Sequence, residues 1–369
     1  MTDSPTPARD ERLRHTPLAV RLLARPDLGA ISGAALVFVF FGITAGGSGM
    51  FGAEGVMNWL TVSAELGIVA AAAAMLMIAG EFDLSIGSMI GFAGMMIAIP
   101  ATYFHWPIWV AILFAFAGAL AIGWLNGYLV VRTKLPSFIV SLAFLFILRG
   151  LTLALSIIFA NRTIVSGFKE TAGSDWLGDI FGGKIGYDLF QWLANEGVVG
   201  KFKDGTPVVP GIPMSVVWWF LLTAVGSWVL LRTRFGNWIF ASGGDVNAAR
   251  NVGVPTSRVK ISLFMTTAFA STVFATCQVM EFGSAAADRG LLKEFEAIIA
   301  AVIGGNLLTG GYGSVIGAAF GALIFGVVQM GIFYTGVNTD WFQVFLGVML
   351  LMAVLFNNYI RRKVTGSRA

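Results

Sequence analysis

A chain of 369 residues that is 57% hydrophobic and only 12% charged has too few charges to solvate a globule of its size, which excludes an ordinary water-soluble enzyme or binding domain. Its net charge of +4 sits in a few basic clusters beside apolar stretches, a pattern that calls for no nucleic-acid partner. Nine apolar stretches, 30–45, 62–79, 84–99, 108–131, 138–160, 214–231, 261–280, 315–334 and 342–356, approach with their flanks the roughly 20 helical residues that cross a ~30 Å hydrocarbon layer. Unbroken apolar runs such as 70–77 and 142–148 do not alternate, so transmembrane strands are excluded.

Taken in order, residues 1–28 are Pro-rich and basic, with Arg9, Arg12, Arg14, Arg21 and Arg25, and read as a disordered cytoplasmic tail without a signal-peptide cleavage site. Arg132 and Lys134 follow the fourth stretch. The loop 232–260 carries Arg232, Arg234, Arg250, Arg258 and Lys260, and the tail 361–369 carries Arg361, Arg362, Lys363 and Arg368. The positive-inside rule places all of these on the cytoplasmic side, so both termini are inside and the crossings are even in number. Residues 297–308, short and ending in glycines, supply the tenth element as a half-helix or broken span. The expected fold is therefore all-α: a polytopic helical membrane protein of about ten transmembrane or partly spanning helices over 29–360. Residues 161–213 form an extracytoplasmic segment with a short helix near 188–194.

Catalytic chemistry finds little support. Cys277 is the sole cysteine and falls in a span, which excludes intrachain disulfides and Cys-based metal sites. His15 and His105 are the only histidines and are far apart in sequence, so no metal or catalytic residues are assigned. Residues 178–184 (GDIFGGK) resemble a phosphate-binding loop, but Ile185 stands where a magnesium-binding Ser or Thr is required and no strand-to-helix context surrounds them. Asn161-Arg162-Thr163 is a formal glycosylation sequon of little weight.

The membrane charges and the glycines carry more information. Gly87, Gly91 and Gly94, and again Gly313, Gly317 and Gly321, line up on one helical face, each a strip where another backbone approaches closely. The two share a pattern, 87–91 (GSMIG) against 313–317 (GSVIG), that hints at an internal repeat. Arg149 falls mid-span, where facing lipid costs roughly 2.5–3.5 kcal/mol, so it turns toward protein or water. At about 100° per residue, Ser141, Leu145, Thr152 and Ser156 share its stripe. Two readings stand: the wall of a conduit, and a structural pairing with a helix end or carboxylate. Glu81 and Asp83 precede a helix start that either could cap, and capping is the default for Asp83.

In the basic loop, residues 243–253 read as a very short helix, with Asp245 capping its start, Gly253 ending it and Pro255 blocking continuation. Two turns are not stable alone in water. Val246, Ala249, Arg250 and Gly253 share a face that fits a partner's groove; the alternative is a loop lying on its own membrane domain.

Four stretches together, 80–88, 135–142 leading to Arg149-Gly150, 243–254 and 297–317, make the chain resemble the permease subunit of bacterial ABC importers for simple sugars, over about 60–360. It departs from that pattern in the long 161–213 segment, in Asp245 where Asn is common, and in Asn306 where a small residue is usual. The resemblance implies a multi-pass inner-membrane permease that pairs with a second copy. It would receive a monosaccharide or polyol from an extracytoplasmic binding protein and be driven by an ABC ATPase subunit that holds the ATP and magnesium, with no cofactor on this chain. Gly243, Gly244, Asp245, Val246, Ala249, Arg250 and Gly253 would couple to the ATPase; Asp83, Ser85, Ser137, Phe138, Ser141, Arg149 and Thr152 are the pathway candidates. A stand-alone secondary transporter or channel is the rival; it would need ion relays from Glu65, Arg149 and Glu281. A membrane-embedded enzyme comes third.

Overall fold

The computed structural model describes residues 26–168, 175–338 and 340–365. The predicted tail residues Arg9, Arg12, Arg14, Arg21, Arg25, His15 and Arg368 lie outside the described residues. In chain order the helices are α1 Pro26–Thr44, α2 Ala53–Ile78, α3 Ile86–Tyr103, α4 Ile108–Thr133, α5 Ser137–Ala160, α6 Trp176–Gly182 and α7 Tyr187–Asn195. They continue as α8 Met214–Arg232, α9 Arg234–Gly244, α10 Val246–Asn251, α11 Thr256–Phe282, α12 Lys293–Ile303, α13 Val315–Tyr334 and α14 Trp341–Thr365. Seven of them (α2, α3, α4, α5, α8, α11 and α13) are long and apolar enough to cross a membrane, and shorter apolar stretches occupy α1 and α14. With α12 this makes the ten elements read from the sequence.

Local chemistry sets the boundaries. Proline precedes α5 (Pro136), α8 (Pro213) and α11 (Pro255), where the fixed φ suits the approach to a first turn. Asn161 ends α5 in the left-handed region at φ 49°, a role that Asn tolerates better than most residues and that accounts for it without glycosylation. The second helix begins earlier than its apolar stretch, at Ala53, because Glu54 suits the positive end of the helix dipole and the Asn58 amide donates to the Tyr334 hydroxyl at 3.1 Å. The last helix continues to Thr365, into the stretch expected to be a tail.

Burial sorts the spans into two groups. Helices α2, α3, α11 and α13 are buried over most of their apolar windows, while α4, α5 and α8 leave most of theirs uncovered. The centre is packed by small residues: Ala70 to Ala74 of α2 are all buried, which lets neighbouring helices approach closely. The exposed face of α5 is wholly apolar at Phe146, Ile147, Leu151 and Ile158, a surface for lipid or for another membrane helix.

The glycine strips have a partner not foreseen in the sequence. Between α11 and α13 the chain descends as β4 Ser284–Ala286, an irregular stretch, α12, and a return loop. An added Cβ at Gly91 would lie 2.9 Å from the Arg289 carbonyl oxygen, and one at Gly94 3.7 Å from the Ala285 methyl. On the other side, Cβ atoms at Gly317 and Gly321 would overlap the Gly304 and Ala300 carbonyls. Gly313, expected on the second strip, instead lies in the return loop before the Ser314 cap, and Gly87, Gly91 and Gly94 on one side and Gly317 and Gly321 on the other clasp one re-entrant segment, 284–313. Helix α12 has 11 residues and spans only about 16 Å, half a ~30 Å hydrocarbon layer; it begins four residues before the expected 297–308 element and ends at Ile303.

The 161–213 segment builds two short antiparallel pairings. Strand β1 Ile164–Ser166 pairs with β4 in the register Ile164↔Ala286, and β2 Lys184–Ile185 pairs with β3 Ile212–Pro213. The predicted short helix appears as α7. Residues 178–182 are helical and Lys184 begins a strand, so the phosphate-loop look-alike runs helix to strand, the reverse of the required order.

Candidate functional site

Two sites emerge. The first is the loop 232–260. Thr233 caps α9, its hydroxyl oxygen accepting from the Gly236 N–H at 3.1 Å. Asp245 caps α10, one carboxylate oxygen accepting from the N–H groups of Asn247 (2.8 Å) and Ala248 (3.0 Å). Gly253, at φ 86°, closes the helix, and its N–H donates to the Arg250 carbonyl at 3.0 Å. Gly243 and Gly244, grouped with this helix from the sequence, instead end α9. Of the expected docking face, Ala249 is buried against the protein, and Arg250 is exposed while its Nε donates to the Thr256 hydroxyl at 3.0 Å. The outward side carries Asn247, Ala248, Asn251 and Val252, the last 80% exposed. Ala249 is the one buried residue of this short helix and anchors it, while Arg250 and Gly253 of the expected face stay exposed.

Directly before α10, three backbone segments meet. A Cβ at Gly243 would overlap the Ile78 carbonyl and stand 2.6 Å from the Gly311 nitrogen, whose N–H donates to that same Ile78 carbonyl at 2.8 Å. The end of α2, the end of α9 and the return loop of the re-entrant segment thus touch through main chain alone, a contact that any side chain would prevent. Glu81, expected as a cap, forms an ion pair with Lys260 of α11 instead.

Five of the seven pathway candidates fall in or beside the α2–α3 connection, and four of those lock it in place. Asp83 is buried; one of its oxygens accepts from the Ser85 N–H (2.9 Å) and hydroxyl (2.5 Å), the other from the Thr267 hydroxyl of α11 at 2.6 Å. Asn126 of α4 donates to the Ser85 hydroxyl at 3.3 Å. Neither Asn126 nor Thr267 was singled out in the sequence, since nothing in spans that distant marks them as partners. Ser137 accepts from the Phe82 N–H at 3.0 Å and Ser141 donates to the Phe82 carbonyl at 3.4 Å. Phe138, the fifth, points outward and is half exposed.

The remaining two, Arg149 and Thr152, line the second site, a cleft between α3, α5 and the re-entrant segment. Ser88, Asp288 and Glu294 complete its polar wall. Its water-accessible volume is about 10 Å³, room for no more than one water. Glu294, missed in the sequence because it precedes the apolar part of α12, is buried with its carboxylate against Gly87, and it lines the same cleft as Arg149. Arg149 therefore shares the wall of one narrow cleft with Asp288 and Glu294. Arg289 fastens the segment above: its guanidinium donates to the Ser284 carbonyl (2.5 Å) and hydroxyl (3.0 Å) and sits 4.8 Å over the Phe282 ring. Among the described residues, no three His, Cys, Asp or Glu side chains gather as a metal site would require.

The chain is thus a polytopic helical bundle with a short exposed loop helix and a small polar cleft between α3, α5 and the re-entrant segment. Residues 55–354 match the family described as branched-chain amino acid transport system / permease component. The chain belongs to this family. It is 31% identical over 359 residues to the xylose transport system permease protein XylH of Escherichia coli (strain K12), covering 89% of this chain and 90% of that one. The fructose import permease protein FrcC of Rhizobium meliloti is 28% identical, with 89% and 84% covered, and the ribose import permease protein RbsC of Escherichia coli (strain K12) 29%, with 84% and 87% covered. No solved structure matches the chain. This permease is accordingly a multi-pass inner-membrane protein that belongs to the membrane component of a transport system, not to its catalytic component.

Proposed function

We propose that this permease forms the translocation pathway of an ATP-driven importer for a monosaccharide or related polyol. An extracytoplasmic binding protein delivers the sugar, a separate ATPase subunit holds ATP and magnesium, and a second copy of the permease completes the pathway, with bilayer lipid covering the remaining apolar faces. Both termini and the loop 232–260 face the cytoplasm, and 161–213 faces outward. The observation that carries this reading is α10: two turns, capped at both ends, resting on Ala249 with its other side open. So short a helix contributes little stability by itself, whereas a rigid knob held against the bundle is what a motor subunit needs in order to push. The names of the relatives, which concern xylose, fructose and ribose, support the substrate class.

The test is reconstitution of the permease in proteoliposomes with its ATPase and binding protein. Uptake of a pentose or hexose that requires all three components and ATP is expected. Vigorous uptake by the permease alone would overturn the reading in favour of a secondary transporter or channel.

A further inference from the structure

We propose that Glu294 and Arg149 form the gate of the pathway, and that the re-entrant segment 284–313 carries the motion of α10 to it. This rests on the importer reading. The connection is mechanical. Gly243, one residue before Gly244 and two before the Asp245 cap, is in main-chain contact with Gly311. From Gly311 the return loop leads to Asn306, which is fully buried. Its amide nitrogen donates to the Ala301 carbonyl (2.8 Å) and its amide oxygen accepts from the Ser314 N–H (2.9 Å), fastening the loop to α12 and to the start of α13. The departure of Asn306 from the usual small residue is thereby explained. Helix α12 is then a stiff rod of about 16 Å with the glycine junction beyond one end and Glu294 in its first turn at the other. A displacement at Gly243 reaches Glu294 through a main-chain contact, the Asn306 side-chain bonds and the backbone of α12.

The chemistry suits a gate for a polyol. In the closed cleft the carboxylate and the guanidinium line one narrow space, in a region where either charge alone would be costly. When the rod withdraws Glu294, sugar hydroxyls, which both donate and accept, replace each partner for the other: the guanidinium supplies donors and the carboxylates of Glu294 and Asp288 supply acceptors. An apolar gate would close as well but would strip the sugar of its hydrogen bonds.

Two measurements test this. In liposomes holding the permease without ATPase, Glu294→Gln should raise passive entry of labelled D-xylose about tenfold, the size of an ordinary coupling energy; vesicles as tight as the unsubstituted ones would overturn the gate. In the permease–ATPase complex, maleimide labelling of Ser88→Cys should change about tenfold when ATP and vanadate trap the motor. Gly243→Ala should abolish that change, whereas Gly42→Ala on α1, whose added Cβ meets nothing within 4 Å, should preserve it. Equal behaviour of the two glycine variants, or no change on trapping, would overturn the transmission. Failure of the ATPase to bind at all would refute the importer reading, and the leak assay would still decide the gate.

Discussion

Replacing Asp245 with alanine removes the acceptor for the Asn247 and Ala248 N–H groups, at 2.8 and 3.0 Å, from a helix of six residues. Loss of an N-cap costs about 1 kcal/mol. In a long packed helix that would be absorbed, but here the free energy of helix formation is close to zero, so nearly the whole cost falls on the population of formed α10. With RT near 0.59 kcal/mol, about 1 kcal/mol lowers the formation constant about fivefold, which takes the formed population from about one half to about one sixth, and a partner that binds only the formed helix sees its apparent Kd rise about threefold. Titrating labelled ATPase subunit onto the solubilised permease measures this directly. Asp245→Asn should be close to the native protein, because Asn caps as well as Asp does. A variant Asp245→Asn as weak as Asp245→Ala would show that the charge and not the cap matters, and an Asp245→Ala variant with native affinity would refute the argument altogether.

Arg250→Glu is expected to reach the membrane in native amounts yet lose most uptake, since it cancels a cation beside the outward face and the bond to Thr256; native uptake at equal abundance would count against α10 as the coupling element. Thr267→Val keeps the side-chain shape but removes the donor to Asp83, so a buried carboxylate loses a bond worth roughly 1.5–3 kcal/mol, and thermal unfolding in detergent should shift downward. For orientation, Lys203→Cys is the better probe than its neighbour. Asp204 accepts from the Thr206 N–H (3.0 Å) and hydroxyl (2.6 Å), bonds that hold its carboxyl below the usual range and shape the turn. An impermeant maleimide should label Lys203→Cys from outside intact cells; labelling only after lysis would reverse the topology.

Much of this was legible because membrane burial writes itself into composition. The spans followed from apolar length, the cap at Asp245 and the stop at Gly253 from local backbone chemistry, and the mid-span position of Arg149 from the cost of placing a cation in lipid. Partner identity was not legible. The glycine strips announced close approach but not to what, since a strip reads the same whether a helix or an extended chain lies on it. The inward turn of Ala249 was hidden for a similar reason: Val246, Ala249, Arg250 and Gly253 share a face by period, and period alone leaves open which face meets the bundle.

The re-entrant segment shows why the site itself escaped. Asp288, Arg289, Lys293, Glu294 and Glu296 crowd into nine residues and suppress the hydropathy that marks every other buried element. Such a stretch reads as a solvated loop unless its charges are compensated one by one. The structure does this with Arg289 on Ser284, Lys293 bonded to Glu296 at 2.5 Å, and Glu294 facing the Arg149 cleft. The first two bring their partners from within ten residues, but Arg149 lies on a helix remote in sequence. The one compensation that crosses between elements is therefore the one that can be broken by moving them, which is why the gate is placed there and not at the local pairs.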